Sequence, residues 1–196
     1  MNALLKLSGL IDGLTERIGK TTTWLVLVVV LISSGNAVMR FTIDWSSNGL
    51  LEVQWYLFSV VFMMCAGYTL MKNEHVRIDI VSGRFSAKTR GYIDIFGFLF
   101  FFFPMVYLFI TLGWPFFMVA FDGGEMSPNA GGLIRWPVKL FLPLGFLLLA
   151  IQGVSELIKR VAFVMDMIPD PNEKHGKTAE EELADEIANT ARGVEQ

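Results

Sequence analysis

The residues best suited to chemistry stand at the ends of long apolar runs. Glu52 precedes a charge-free run from Val53 to Met71, Asp94 precedes one from Ile95 to Phe121, and Glu156 closes one from Leu140 to Ser155. A carboxylate held at membrane depth can relay a proton or bind a cation, because so costly a charge is retained where it handles an ion or a substrate. None of the three lies inside its run, and the runs contain no Asp, Glu, Lys, Arg or His. Their expected work is at the interface, capping a helix or pairing with a base. The two histidines, His75 and His175, also fall outside the runs and cannot ligate a haem within them. A single cysteine, Cys65, rules out a disulfide or a CxxC pair built from this chain alone. The pairs Gly123-Gly124 and Gly131-Gly132 suggest a phosphate cradle, but no strand precedes them and no GxxxxGK[ST] pattern is present. No nucleophile, base and orienting group can be placed together. The chain is therefore expected to be no enzyme and to carry no catalytic, cofactor or metal site.

The elements that must hold these residues are membrane helices. Val53–Met71 and Thr21–Met39 are each 19 residues long, which as helix is roughly 28 Å, close to the ~30 Å hydrocarbon core of a bilayer. The composition agrees: 53% of residues are apolar, 18% are charged, and mean hydropathy is +0.50. The fold class expected is an all-α integral membrane protein with four transmembrane helices, an N-terminal amphipathic helix and a mobile acidic C-terminal tail. Residues 1–20 would form the amphipathic helix, 21–160 the membrane domain with spans near 21–40, 51–71, 93–117 and 138–158, and 161–196 the cytoplasmic tail.

Within that plan, Leu4, Leu7, Ile11, Leu14 and Ile18 recur at spacings of three and four. Such a stripe fits a helix lying on the membrane or against a partner helix, and equally a plain extension of the first span. A cleaved signal peptide is disfavoured because no A-x-A site follows the first run. Gly35 and Asn36 are expected to serve helix packing, Trp45 and Trp55 an interfacial aromatic belt, and Ser86 an N-cap. The 27-residue run Ile95–Phe121 is too long to stand upright, so a kink near Pro104 and a bend or helix end near Pro115 are expected. Turn-forming residues crowd Asp122–Lys139, after which the last helix should recruit Trp136 and Lys139 to reach the interface. In the tail, Thr178 and Glu181 fit a capping box on a short acidic helix.

Lys and Arg counts then orient the helices. Ten fall on one side (Lys6, Arg17, Lys20; Lys72, Arg77, Arg84, Lys88, Arg90; Lys159, Arg160) and three on the other (Arg40, Arg135, Lys139). Both termini are expected to be cytoplasmic, with the Gly/Pro-rich loop outside. The net charge of −3, concentrated in the tail, argues against nucleic acid as a partner.

Two stretches carry a resemblance. The second span followed by KNEHVRIDIV, and the later NAGGLIRWPVKLFLPLGFLLLAIQGVSELIKR, resemble the small membrane subunit of tripartite ATP-independent periplasmic (TRAP) transporters, the DctQ-like family, over roughly residues 20–165. The resemblance implies a bacterial inner-membrane protein that braces a large membrane subunit. That subunit would move an organic acid, delivered by a periplasmic binding protein, using a sodium gradient. It also implies that the partners are those two proteins and membrane lipid, with no cofactor here. Glu52 matches the acidic residue before the second span, and His75, Arg77 and Asp79 match the family's charged turn. Arg77 and Asp79 are expected to fix that turn or to meet the large subunit. Arg135 and Trp136, at the outer interface, are expected either to face a docking protein or to anchor the loop. The reading from a different class is a stand-alone membrane sensor or assembly factor that acts through its acidic tail.

Overall fold

The structure, a computed structural model, describes residues 2–73 and 85–170. His75, Arg77 and Asp79 lie outside the described residues, as do His175, Thr178, Glu181 and the rest of the tail beyond Asp170. Every apolar run becomes helix, the one way a single segment can satisfy its backbone polar groups in hydrocarbon. The helices are α1 (Asn2–Ile43), α2 (Asn48–Met71), α3 (Ala87–Gly97), α4 (Phe103–Asp122) and α5 (Trp136–Val164); one π turn, Phe98–Phe102, joins α3 to α4. Four stretches are long and apolar enough to cross a membrane: Asn2–Ile43, Asn48–Met71, Ala87–Asp122 and Trp136–Val164.

Of the two readings of the N-terminal stripe, the structure has the plain extension of the first span. No break separates residues 1–20 from the first span, and α1 runs uninterrupted to Ile43. Nothing near Lys20 stops a helix, and Thr23 Oγ1 bonds back to the Gly19 carbonyl at 2.9 Å. The buried side of α1 is Ser8, Thr15, Gly19, Thr22 and Asn36, while Leu4, Leu7, Leu10 and Leu14 are exposed. Between membrane helices it is small residues that let backbones approach, since lipid already solvates the leucines. A Cβ on Gly19 would lie 2.5 Å from the Tyr68 ring of α2. Gly35, expected to aid packing, has nothing within 4 Å of its Cβ position, whereas its neighbour Asn36 is buried.

The third stretch contains a register change at Phe98–Phe102. Within the π turn, the Phe103 N–H bonds the Phe98 carbonyl, which loosens the coil just where the Pro104 ring would meet the preceding turn. Pro115 neither ends nor interrupts α4, which continues to Asp122. Ser86 does cap α3, accepting the Thr89 N–H at 3.3 Å. α5 begins at Trp136, so the last helix takes in both Trp136 and Lys139.

α5 is the hub of the molecule, touching α1, α2, α3 and α4. Glycines mark its closest approaches. A Cβ on Gly145 would lie 2.7 Å from Met63 Cβ and 2.8 Å from the Met63 carbonyl oxygen, and one on Gly153 would lie 2.2 Å from the Phe102 ring. The central helix therefore presents backbone to α2 and to the π turn, and the two ends of the bundle are fastened by polar side chains.

Candidate functional site

At one end, the segment between α4 and α5 folds into a short hairpin. Glu125 and Arg135 pair through backbone (Arg135 N–H to Glu125 O, 2.8 Å), and Ser127 N–H donates to Leu133 O at 2.9 Å. Gly124 and Gly131 take φ of +57° and +70° at its bends, a region that glycine enters without strain. Glu52, in the first turns of α2, grips the hairpin from below. Its carboxylate accepts the Ser127 hydroxyl, the Asn129 side-chain amide at 2.8 Å and the Leu133 N–H at 2.7 Å. Asn48 adds a bond to the Ala130 carbonyl at 3.0 Å.

Beside that grip stands a second ion cluster. Glu125 accepts from Lys139 and, at 3.3 Å, from Arg135. The hydrogen bond from Lys139, helped by Arg135, holds the Glu125 carboxyl below its ordinary 4.5, so it stays charged through any physiological pH. The Lys139 ammonium also lies 4.1 Å from the centre of the Phe116 ring. Trp136 packs edge-on against Phe121 and Phe117, at 5.4 Å and 6.4 Å between ring centres. Two adjoining cavities open between the hairpin, α2 and α5. One of about 340 Å³ reaches Asn48, Glu52, Ser127 and Asn129; the other, about 390 Å³, reaches Ser59, Met63, Phe116 and Leu142; both are lined by Trp55, Tyr56 and Arg135.

The opposite end holds a denser polar knot. Asp12 of α1 accepts from Gln152 (2.8 Å), Ser155 (2.7 Å) and Lys159 (3.1 Å) of α5, and the Ser8 and Ser155 hydroxyls are 2.7 Å apart. Glu156 accepts from Lys159, from Gln152 at 3.2 Å and from Arg160 at 2.8 Å. Arg160 in turn donates to Asp94 of α3 at 2.9 Å and lies 5.1 Å from the Phe98 ring in the π turn. Glu156 and Arg160 are only 5% and 2% exposed, which makes this the buried one of the two clusters. Buried charges persist where pairing and hydrogen bonds offset their lost hydration, and deleting one partner of such a pair costs about 3–5 kcal/mol.

Three of the residues singled out from the sequence, Glu52, Arg135 and Trp136, meet at the hairpin; the other three, His75, Arg77 and Asp79, lie outside the described residues. Glu52 turns inward onto the hairpin rather than standing free. The knot at Asp12 escaped the sequence reading. Its signal was there in two polar stripes of helical spacing: Ser8, Asp12 and Thr15 on α1, and Gln152, Ser155, Glu156 and Lys159 on α5. What the arrangement can do is tie α1, α3 and α5 at one end and α2, α4 and α5 at the other. Among the described residues no three His, Cys, Asp or Glu side chains are grouped so as to hold a metal.

Comparison with known protein families gives a match over most of the chain. Residues 26–163 match the family of tripartite ATP-independent periplasmic transporters, DctQ component. No curated protein matches the chain. The family match takes in α2, α3, α4, nearly all of α5 and the spanning part of α1, and so covers well over half of the 196 residues. The chain belongs to the DctQ component family, the small membrane subunits of tripartite ATP-independent periplasmic transporters.

Proposed function

We propose that this chain braces the large membrane subunit of its transporter in the bacterial inner membrane, with both termini cytoplasmic. The large subunit takes up an organic acid, delivered by a periplasmic binding protein, on a sodium gradient. The observation that carries the reading is the internal use of buried and half-buried charge. Asp12, Glu156 and Lys159 spend their hydrogen bonds on one another and on α5 neighbours. A helix that conducts an ion keeps such groups for the ion; one that serves as a strut spends them on rigidity. The exposed faces fit the same role, since Leu108, Leu112 and Val119 of α4 and Trp24 and Leu31 of α1 are left for lipid or a neighbouring subunit.

In this reading, Glu52 shapes the hairpin, Arg135 and Trp136 set the surface it offers to the binding protein, and His75, Arg77 and Asp79 meet the large subunit on the cytoplasmic side. The test is extraction of the tagged chain from its native membranes in mild detergent, with mass spectrometry of what comes with it. A large polytopic permease recovered in near-equal amount is the expected result. Recovery of the chain alone, folded and monodisperse, overturns the reading and favours a stand-alone sensor.

A further inference from the structure

The paired cavities under the hairpin form one amphipathic groove. Its mouth is polar, with Arg135 and Tyr56, and its far end is apolar, with Met63 and Leu142. Met63 lies eleven residues into α2 from Glu52, about 16 Å along the helix. That equals the depth of one leaflet, about half of a ~30 Å hydrocarbon core. The groove thus begins where headgroups sit and ends where acyl chains end.

Its polar mouth is under-used. A guanidinium carries five N–H donors, and Arg135 directs one hydrogen bond at Glu125, at the long distance of 3.3 Å, while Lys139 holds the other oxygen of that carboxylate. The Arg135 side chain is 42% exposed. The Tyr56 hydroxyl is buried and has no hydrogen-bond partner among the described residues. An orphaned hydroxyl and a planar cation with spare donors suit a phosphate oxygen, which guanidinium recognises through two parallel bonds. Glu52 is engaged by three donors and Glu125 is shared between Lys139 and Arg135, so further guanidinium donors remain over.

We propose that this groove is a binding site for one phospholipid of the leaflet on the hairpin side. Its phosphate meets Arg135 and Tyr56, and an acyl chain lies along Ser59, Met63 and Leu142. The bilayer supplies this occupant at high concentration to any open groove of that polarity. The lipid would fill the gap between α2 and α5 and steady the hairpin from beneath. The site shares Arg135 with the surface proposed for the binding protein, and Ser59→Phe, which leaves Arg135 in place, separates the two readings.

The test is native mass spectrometry of the full-length chain released from nanodiscs of phosphatidylglycerol and phosphatidylethanolamine. Wild type is compared with Arg135→Gln, with Ser59→Phe, which fills the groove and leaves the hairpin ion pairs in place, and with Lys88→Gln at the far end of the bundle. Expected is one phospholipid retained by wild type and Lys88→Gln after other lipids are stripped, about tenfold less in Arg135→Gln, the worth of one charge-assisted contact, and none in Ser59→Phe, whose ring occupies the acyl path. Diacylglycerol added to the same nanodiscs should not be retained by any of the four proteins. Equal retention by all four proteins overturns the site, and so does no retention by wild type. Equal retention of diacylglycerol overturns the phosphate contact. Should Arg135→Gln fail to fold, as judged by helicity and monodispersity, Ser59→Phe decides alone.

Discussion

Glu52 shows how much one side chain can organise. Three donors from the hairpin converge on its carboxylate, among them the Leu133 N–H, which has to be satisfied where the loop closes on α2. Removing the acceptor while leaving the donors strands three groups that hold the loop against α2. Glu52→Ala should therefore loosen the hairpin and leave the helices intact. The expected outcome is faster proteolysis within residues 123–135 and a lower unfolding temperature in detergent, with circular dichroism unchanged. An equally resistant hairpin would show that its own backbone bonds suffice. From sequence the residue was visible as an interfacial carboxylate that caps or pairs. Its partners were not, because Ser127, Asn129 and Leu133 lie 75 to 81 residues away and look like any polar loop.

At the scale of elements, packing depends on where a helix offers backbone instead of side chain. In an exposed helix interior, Gly→Ala gains up to about 1 kcal/mol through propensity. At Gly145 that gain meets a clash with the Met63 carbonyl, a backbone atom that cannot rotate away. Overpacking of this kind costs about 1–3 kcal/mol, so the clash wins. Gly145→Ala should lower the unfolding temperature, while Gly35→Ala, with open space at its Cβ, should leave it unchanged or raise it. Thermal unfolding of the two variants in the same detergent is the measurement, and equal shifts would mean that α2 and α5 can move apart freely. The same logic explains α1. Periodicity marked a leucine stripe at Leu4, Leu7 and Leu14, yet Ser8, Thr15 and Gly19 are what α5 and α2 contact. The leucines stay exposed while the small residues let the helix backbones approach.

Taken whole, the molecule ties its helices at both ends and leaves its apolar flanks open. The knot of Asp12, Glu156 and Lys159 and the hairpin held by Glu52 and Glu125 stand at opposite ends of α5. The sequence count of ten Lys and Arg in one set of flanks against three in the other supports the proposed orientation, with the hairpin outside. With Cys65 replaced by Ala, Ala130→Cys should react with a membrane-impermeant maleimide in intact cells. Lys6→Cys should react only after lysis. The reverse pattern would invert the bundle and with it the proposed faces for the two partners.

The four stretches long and apolar enough to cross a membrane, the turn-rich loop and the family were all legible in the sequence alone, because each rests on local quantities: charge-free length, turn residues and short motifs. Hydrocarbon forces an apolar run of that length into helix whatever surrounds it. The partners of each charge were decided by the tertiary structure alone. Asp12 meets Lys159, and Glu125 meets Lys139, because α1, α5 and the hairpin are brought together by glycine and serine contacts that carry no hydropathy signal. The register change at Phe98–Phe102, which sets that ring beside Arg160 one turn after Asp94, likewise depends on α5 being there to receive it.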